Sequence, residues 1–112
     1  MSNASVRHRE SNPASIFAAL GDHTRLELLG RLSRGPTVSI ANLATNTRIS
    51  RQAITKHLRV LEEVGLVTSS RVGRESRFGY KPDAVMEARS YLDGVSAQWD
   101  AALERLRTFV EG

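Results

Sequence analysis

At 112 residues the chain is long enough to close one hydrophobic core and too short for two ordinary domains. It has no cysteine, which excludes disulfide scaffolds, thiolate metal sites, thiol redox sensing and cysteine nucleophiles. Sixteen Lys and Arg against twelve Asp and Glu give a net charge of +4, and the excess is local. Residues 48–81 hold eight basic side chains (Arg48, Arg51, Lys56, Arg59, Arg71, Arg74, Arg77, Lys81) and three acidic ones (Glu62, Glu63, Glu75), so the rest of the chain is slightly negative. A concentrated positive patch points to a polyanion partner, nucleic acid above all. A merely solvated basic surface is the plainer alternative. No apolar run is long enough to span a membrane. Residues 1–9 lack the apolar stretch of a signal peptide, so the cytoplasm is the expected compartment.

Residues 1–12 carry no apolar period and read as a flexible tail ahead of a single domain, 13–112. Pro13 suits the first turn of a helix that carries Ile16, Phe17 and Leu20 and stops at Gly21. Asp22 then caps a second helix, with Leu26, Leu28, Leu29 and Leu32 apolar and Arg34-Gly35-Pro36 ending it. Ser39 caps a short third helix bearing Ile40, Leu43 and Ala44, and residues 45–49 form a turn. Ser50 caps a fourth helix that runs from 51 to about 64 and closes at Gly65. Two extended stretches, 66–71 and 77–81, flank Val72-Gly73-Arg74-Glu75 and read as a hairpin with Phe78 and Tyr80 toward one face. A last helix follows Pro82 over about 84–110. The predicted class is therefore mostly α with a small β-hairpin wing, a hairpin too small to stand without packing on the helices.

The fourth helix carries the chemistry. On a wheel of about 100° per residue, Arg51, Gln52, Thr55, Lys56 and Arg59 fall within an arc of roughly 140°. Ile54, Leu58 and Leu61 lie opposite. Arg pairs bidentately with guanine, Gln with adenine, and Thr55 offers either a hydroxyl or a methyl, which is the chemistry of major-groove reading. Ser50 sits at the helix N-terminus, where phosphate is favoured. A short capped helix, a turn and then this helix make a helix-turn-helix, and Arg71, Arg74 and Arg77 around the hairpin tip are placed to reach phosphates or the minor groove beside the helix. The commoner origin of such a face is an ordinary solvated helix; the arrangement around it favours DNA.

On the last helix Val85, Ala88, Leu92, Val95, Trp99, Ala102, Leu106 and Phe109 recur at alternating spacings of three and four. Such a helix reaches roughly 40 Å, longer than a small core covers. Burial within the chain is expected for 85–92, and contact with a second copy for Val95, Trp99, Ala102, Leu106 and Phe109, with Ile16 and Phe17 alongside. Gly94 marks either a kink or a close helix crossing.

Thr24-Arg25-Leu26 through Leu32, Ile49-Ser50-Arg51-Gln52-Ala53-Ile54-Thr55-Lys56-His57-Leu58 and Arg59-Val60-Leu61-Glu62-Glu63-Val64-Gly65-Leu66-Val67 together resemble the ArsR-type winged helix-turn-helix repressors. The resemblance spans about 13–110 and implies a homodimer on an inverted-repeat operator in double-stranded DNA that blocks transcription. It places Ser50, Arg51, Gln52, Thr55, Lys56 and His57 against DNA, although the wheel sets His57 nearer the apolar side. The family's metal sensors use cysteines near the third helix, or His and carboxylates on the last. Here Ile40-Ala41-Asn42-Leu43-Ala44 has no Cys, and Glu87, Asp93, Asp100 and Glu104 have no His beside them. The chain thus resembles a Cys-free branch with no metal or other cofactor implied, and an effector ligand, if there is one, is not written in these residues. No nucleophile with a base, paired carboxylates or phosphate-cradling loop points to an enzyme. Two alternatives stand beside the DNA-binding regulator: a dimerising adaptor whose basic face meets an acidic protein, and a metal-responsive repressor of the same family.

Overall fold

The computed structural model describes residues 12–45 and 47–112. The expected N-terminal tail otherwise lies outside the described residues, except that Asn12 is already structural. Its side chain accepts from the backbone N–H of Ser15 and caps α1 (Pro13–Leu20). Asp22 does the same for α2 (His23–Leu32), accepting from Arg25. Ser39 caps α3 (Ile40–Ala44) through Asn42, and Ser50 caps α4 (Arg51–Glu63) through Ala53. Each of these four helix starts thus has its oxygen acceptor on a short polar side chain, which relieves one of the free N–H groups there.

The sharp corner between α1 and α2 is held by Arg25. Its Nε donates to the carbonyl of Ala19 at 2.6 Å and its Nη2 to that of Ala18 at 3.4 Å. These are end-of-helix carbonyls with no partner inside α1. A guanidinium there also complements the negative end of the helix dipole.

α4 ends in a Schellman turn. The Gly65 N–H donates to Glu62 O and the Leu66 N–H to Leu61 O, at 3.0 and 2.9 Å. Gly65 takes φ 82°, a left-handed conformation that a Cβ disfavours. The chain then enters β2 (Val67–Val72), turns through Gly73-Arg74 and returns as β3 (Glu75–Tyr80). Val72 pairs with Glu75, so the strands extend further into the connection than the four-residue turn expected from sequence. The two-residue loop works because Gly73 adopts φ 62°.

The sheet also has a third strand that the sequence did not announce. β1 (Val38–Ser39) pairs antiparallel with β3, Val38 opposite Phe78 and Ser39 opposite Arg77, giving the order β1-β3-β2. The wing is therefore anchored by hydrogen bonds as well as by packing.

The core gathers Ile16, Leu28, Leu32, Leu43, Ile54, Leu58, Leu61, Leu66 and Phe78, with Ala84 and Ala88 from α5 (Pro82–Glu111) closing one side. α5 is one unbroken helix of 30 residues. Within the chain it meets α1, where the rings of Phe17 and Tyr91 lie 6.0 Å apart at 58°. Intrachain burial stops earlier than the periodicity predicts. Ala88 is buried, but Leu92 is already 52% exposed, because the core below it has run out.

Candidate nucleic-acid interface

α4 is held to the body by one side and free on the other. Ile54, Leu58 and Leu61 are fully buried, while Arg51, Gln52, Lys56 and Arg59 are exposed and Thr55 is half-buried. Among the described residues none of Arg51, Gln52, Lys56 or Arg59 has a side-chain hydrogen-bond or ion-pair partner. Their donors are available to an external ligand. Ser50 and Thr55 are different. The Ser50 hydroxyl oxygen accepts from Ala53 N–H at 3.1 Å, which leaves its own hydrogen to donate. The Thr55 hydroxyl donates to the carbonyl of Arg51 at 2.8 Å, so of its two predicted offers the hydrogen is already taken and the methyl remains.

His57 does not join this face. It is half-buried, with Nδ1 3.9 Å from Asp22 Oδ2, and its ring fills the space between α4 and the start of α2. This placement favours the packed reading of His57 over the DNA-contact one. Asp22 itself is held below the ordinary carboxylate range. The main cause is the Arg25 N–H bonded to it; the charges of Arg25 and His57 add to the effect, and partial desolvation opposes it.

The wing arginines divide. Arg71 and Arg74 are exposed and, among the described residues, have no side-chain partner. Arg77, which the sequence reading grouped with them, is by contrast partnered within the fold. Its Nε donates to Thr37 Oγ1 at 3.0 Å, its Nη2 to Thr37 O at 2.6 Å and its Nη1 to Glu75 Oε1 at 2.9 Å. It is a clamp between β3 and the residue ahead of β1, and most of its donors are used inside the fold. Ser69 Oγ donates to Glu62 Oε2 at 2.6 Å, tying β2 to the end of α4.

The start of α4 and the tip of the wing converge. Arg51 and Arg74 line one groove of about 320 Å³, together with Ser39 and Ala41 at the start of α3 and with Glu75 and Ser76 of β3. A rigid helix face and a basic wing thus open onto a common concavity, and the clamp through Thr37 fixes the angle between them. Sequence reasoning missed Thr37 and the structural use of Arg77, because the contact spans 40 residues and leaves no local signature.

The residues assigned to contact with a second copy also separate. Ile16 is 0% exposed and has no surface left to give, so it belongs to the core; Phe17 is half-buried against Tyr91. Trp99 is 65%, Leu106 57% and Phe109 83% exposed, with Val95 and Ala102 intermediate. Leu103 and Val110 widen this apolar strip beyond the predicted stripe. Among the described residues no three His, Cys, Asp or Glu side chains gather into a metal-binding group, and no helix is long and apolar enough to cross a membrane.

A helical body built from α1 to α4, with a helix-turn-helix in α3 and α4, an exposed cationic face on α4 and a hydrogen-bonded wing, defines a winged helix-turn-helix protein. The comparisons agree. A family model described as a helix-turn-helix domain matches residues 20–70. An HTH-type transcriptional regulator from Bacillus subtilis, YuzN, is 45% identical over 69 residues, covering 56% of this chain and 75% of its own. A transcriptional repressor SmtB homolog from Synechocystis sp. is 34% identical over 73 residues, covering 65% of this chain and 54% of its own. An ArsR-like transcriptional regulator from Rhodococcus sp. RHA1 superposes with a TM-score of 0.78 at 40% identity, covering 91% of this chain and 93% of that one. The chain belongs to the ArsR-type winged helix-turn-helix transcriptional regulators, and it is a DNA-binding regulator of transcription.

Proposed function

We propose that the chain acts in the cytoplasm as a homodimeric repressor, seated on an inverted-repeat operator with α4 in the major groove and the wing on the backbone. The observation that carries this reading is the shared groove of Arg51 and Arg74, continuous with the unpartnered polar face of α4. Arg51 and Gln52 supply base-edge donors. Lys56, Arg59, Arg71 and Arg74 supply charge for phosphates, and Ser50 donates its free hydroxyl hydrogen to one. The exposed strip from Trp99 to Phe109 on α5 supplies the surface for a second copy. The similarity to a transcriptional repressor supports the sign of regulation.

The test is fluorescence anisotropy of the full chain against its own upstream DNA and a scrambled duplex across a salt series. Tight binding to the first, with both affinities falling as salt rises, is the expected result. Gln52→Ala should cost about 1–3 kcal/mol at its matched base pair and relax specificity there. Arg74→Ala should weaken both duplexes evenly and reduce the salt slope by about one. No binding at low salt would transfer the basic face to an acidic protein partner.

A further inference from the structure

α3 has only five residues, and a helix of one turn has little internal bonding to hold it. It depends on outside contacts at both ends. Ser39 caps its start, and near its end the Leu43 carbonyl accepts from Arg31 Nη1 at 3.0 Å. Arg31 lies on α2, so a side chain of one helix secures the last turn of another.

Beside that bond is a cavity of about 320 Å³ between α2, α3 and the start of α4. Leu28 and Ile49 give it apolar surface, with the sealed Leu43 and Ile54 at its edge, while Arg31, Arg34 and Glu27 bring charge to it. Among the described residues the side chains of Arg34 and Glu27 have no hydrogen-bond or ion-pair partner, and the Arg31 guanidinium uses a single one of its donors. Two guanidiniums against one carboxylate leave the cavity one positive charge in excess.

That combination specifies a ligand class. A carboxylate accepts paired N–H bonds from guanidinium groups, and an apolar body covers the aliphatic walls. Glu27 opposes a second negative charge, which selects against dicarboxylates and phosphate. We infer that this cavity binds a small organic monocarboxylate, which releases DNA by drawing Arg31 away from the Leu43 carbonyl. A charged acceptor competes well for that donor, because charge-assisted hydrogen bonds are roughly twice as strong as neutral ones. Thr45 bonds the Ala41 and Asn42 carbonyls, so losing Arg31 strips the Leu43 carbonyl of its partner and loosens the end of α3, and Ile54 carries the disturbance into α4, since it lines the same cavity. The release step rests on the DNA-binding reading above; the binding step does not.

Calorimetry on the full chain with hexanoate, its neutral isostere hexanamide, succinate and inorganic phosphate tests the site. Hexanoate should bind, hexanamide should not, and succinate and phosphate should bind more weakly than hexanoate. Arg34 is exposed, so Arg34→Gln leaves the melting curve unchanged while lowering hexanoate affinity roughly tenfold. Glu27→Gln should improve succinate binding. Saturating hexanoate should weaken binding to the upstream duplex by roughly tenfold, and Arg31→Lys should blunt that effect. Equal binding of hexanoate and hexanamide, indifference to Arg34→Gln, phosphate binding as tight as hexanoate, or no hexanoate binding would each overturn the site. Hexanoate bound with operator affinity unchanged would overturn the release step. A chain that binds hexanoate but no DNA would uphold the site and refute the repressor reading instead.

Discussion

The hydroxyl of Thr55 illustrates how one hydrogen bond changes what a residue can read. Because it donates to the Arg51 carbonyl, it keeps for a base pair an oxygen that can only accept and a methyl, and the methyl matches the 5-methyl of thymine. Replacing the contacted thymine by uracil should then cost about 0.8 kcal/mol, close to a fourfold loss of affinity. Thr55→Val should keep this thymine preference and Thr55→Ser should abolish it, as read by anisotropy on paired T and U duplexes. A preference kept in the Ser variant and lost in Val would return the contact to the hydroxyl. Asp22 is the second residue whose local bonds set a measurable property. Its pKa is depressed in the fold by the Arg25 N–H, so its contribution to stability is fully present above the unfolded carboxylate value and is lost as pH falls through the lowered one. Asp22→Asn keeps a capping acceptor but loses the charge. Its stability deficit, from urea melts across the acid range, should be open at neutral pH and close as pH falls.

At the scale of elements, Gly94 separates two readings that the sequence left open. α5 runs through it without interruption, and no atom of the chain other than its own backbone and immediate neighbours lies within 4 Å of where its Cβ would be. Neither a kink nor an intrachain crossing requires glycine there, and position 94 falls off the apolar stripe. Gly94→Ala should therefore stabilise the protein by about 0.5–1 kcal/mol, seen as a higher melting temperature with unchanged DNA affinity. The helices and the hairpin were legible because their signals are local: Asp22, Ser39 and Ser50 as caps, Gly65 as a stop, and the wheel of α4. β1 was not, since two residues become a strand only by pairing with Phe78 and Arg77 far along the chain. The same distance hid the Arg77 clamp. A wing arginine and a strut arginine are identical as letters, and only the position of Thr37 tells them apart. Ile16 and Phe17 are adjacent and both apolar, and the packing of α1 decides which of them is sealed in the core. The polar face of α4 needed no such information. A 13-residue amphipathic helix with its apolar side fixed by the core has one orientation, so the exposed set follows from the wheel.

For the whole molecule, the unmatched quantity is apolar surface at the far end of α5. Trp99, Leu103, Leu106, Phe109 and Val110 are all more than half exposed on consecutive turns. A contiguous strip of this kind is the mark of an interface, and the homodimer proposed above would set a like helix against it. In that proposed dimer two-fold symmetry would set the two copies of α4 on half-sites about 34–36 Å apart, one helical turn of DNA, or a multiple of it. Each α4 alone reads only a few base pairs, so the joined pair gains by making the second contact intramolecular. Leu106→Glu tests this division without touching the core, because Leu106 packs on none of the buried cluster. Sedimentation should show a monomer in place of a dimer, with circular dichroism of the winged body retained. Operator affinity should fall by about 10²–10⁴-fold, the avidity of a linked pair, while weak binding to a single half-site persists. An unchanged sedimentation coefficient would remove α5 from the assembly and leave its apolar strip for a different partner. A dimer lost with operator affinity intact would mean that one chain is sufficient to read the site.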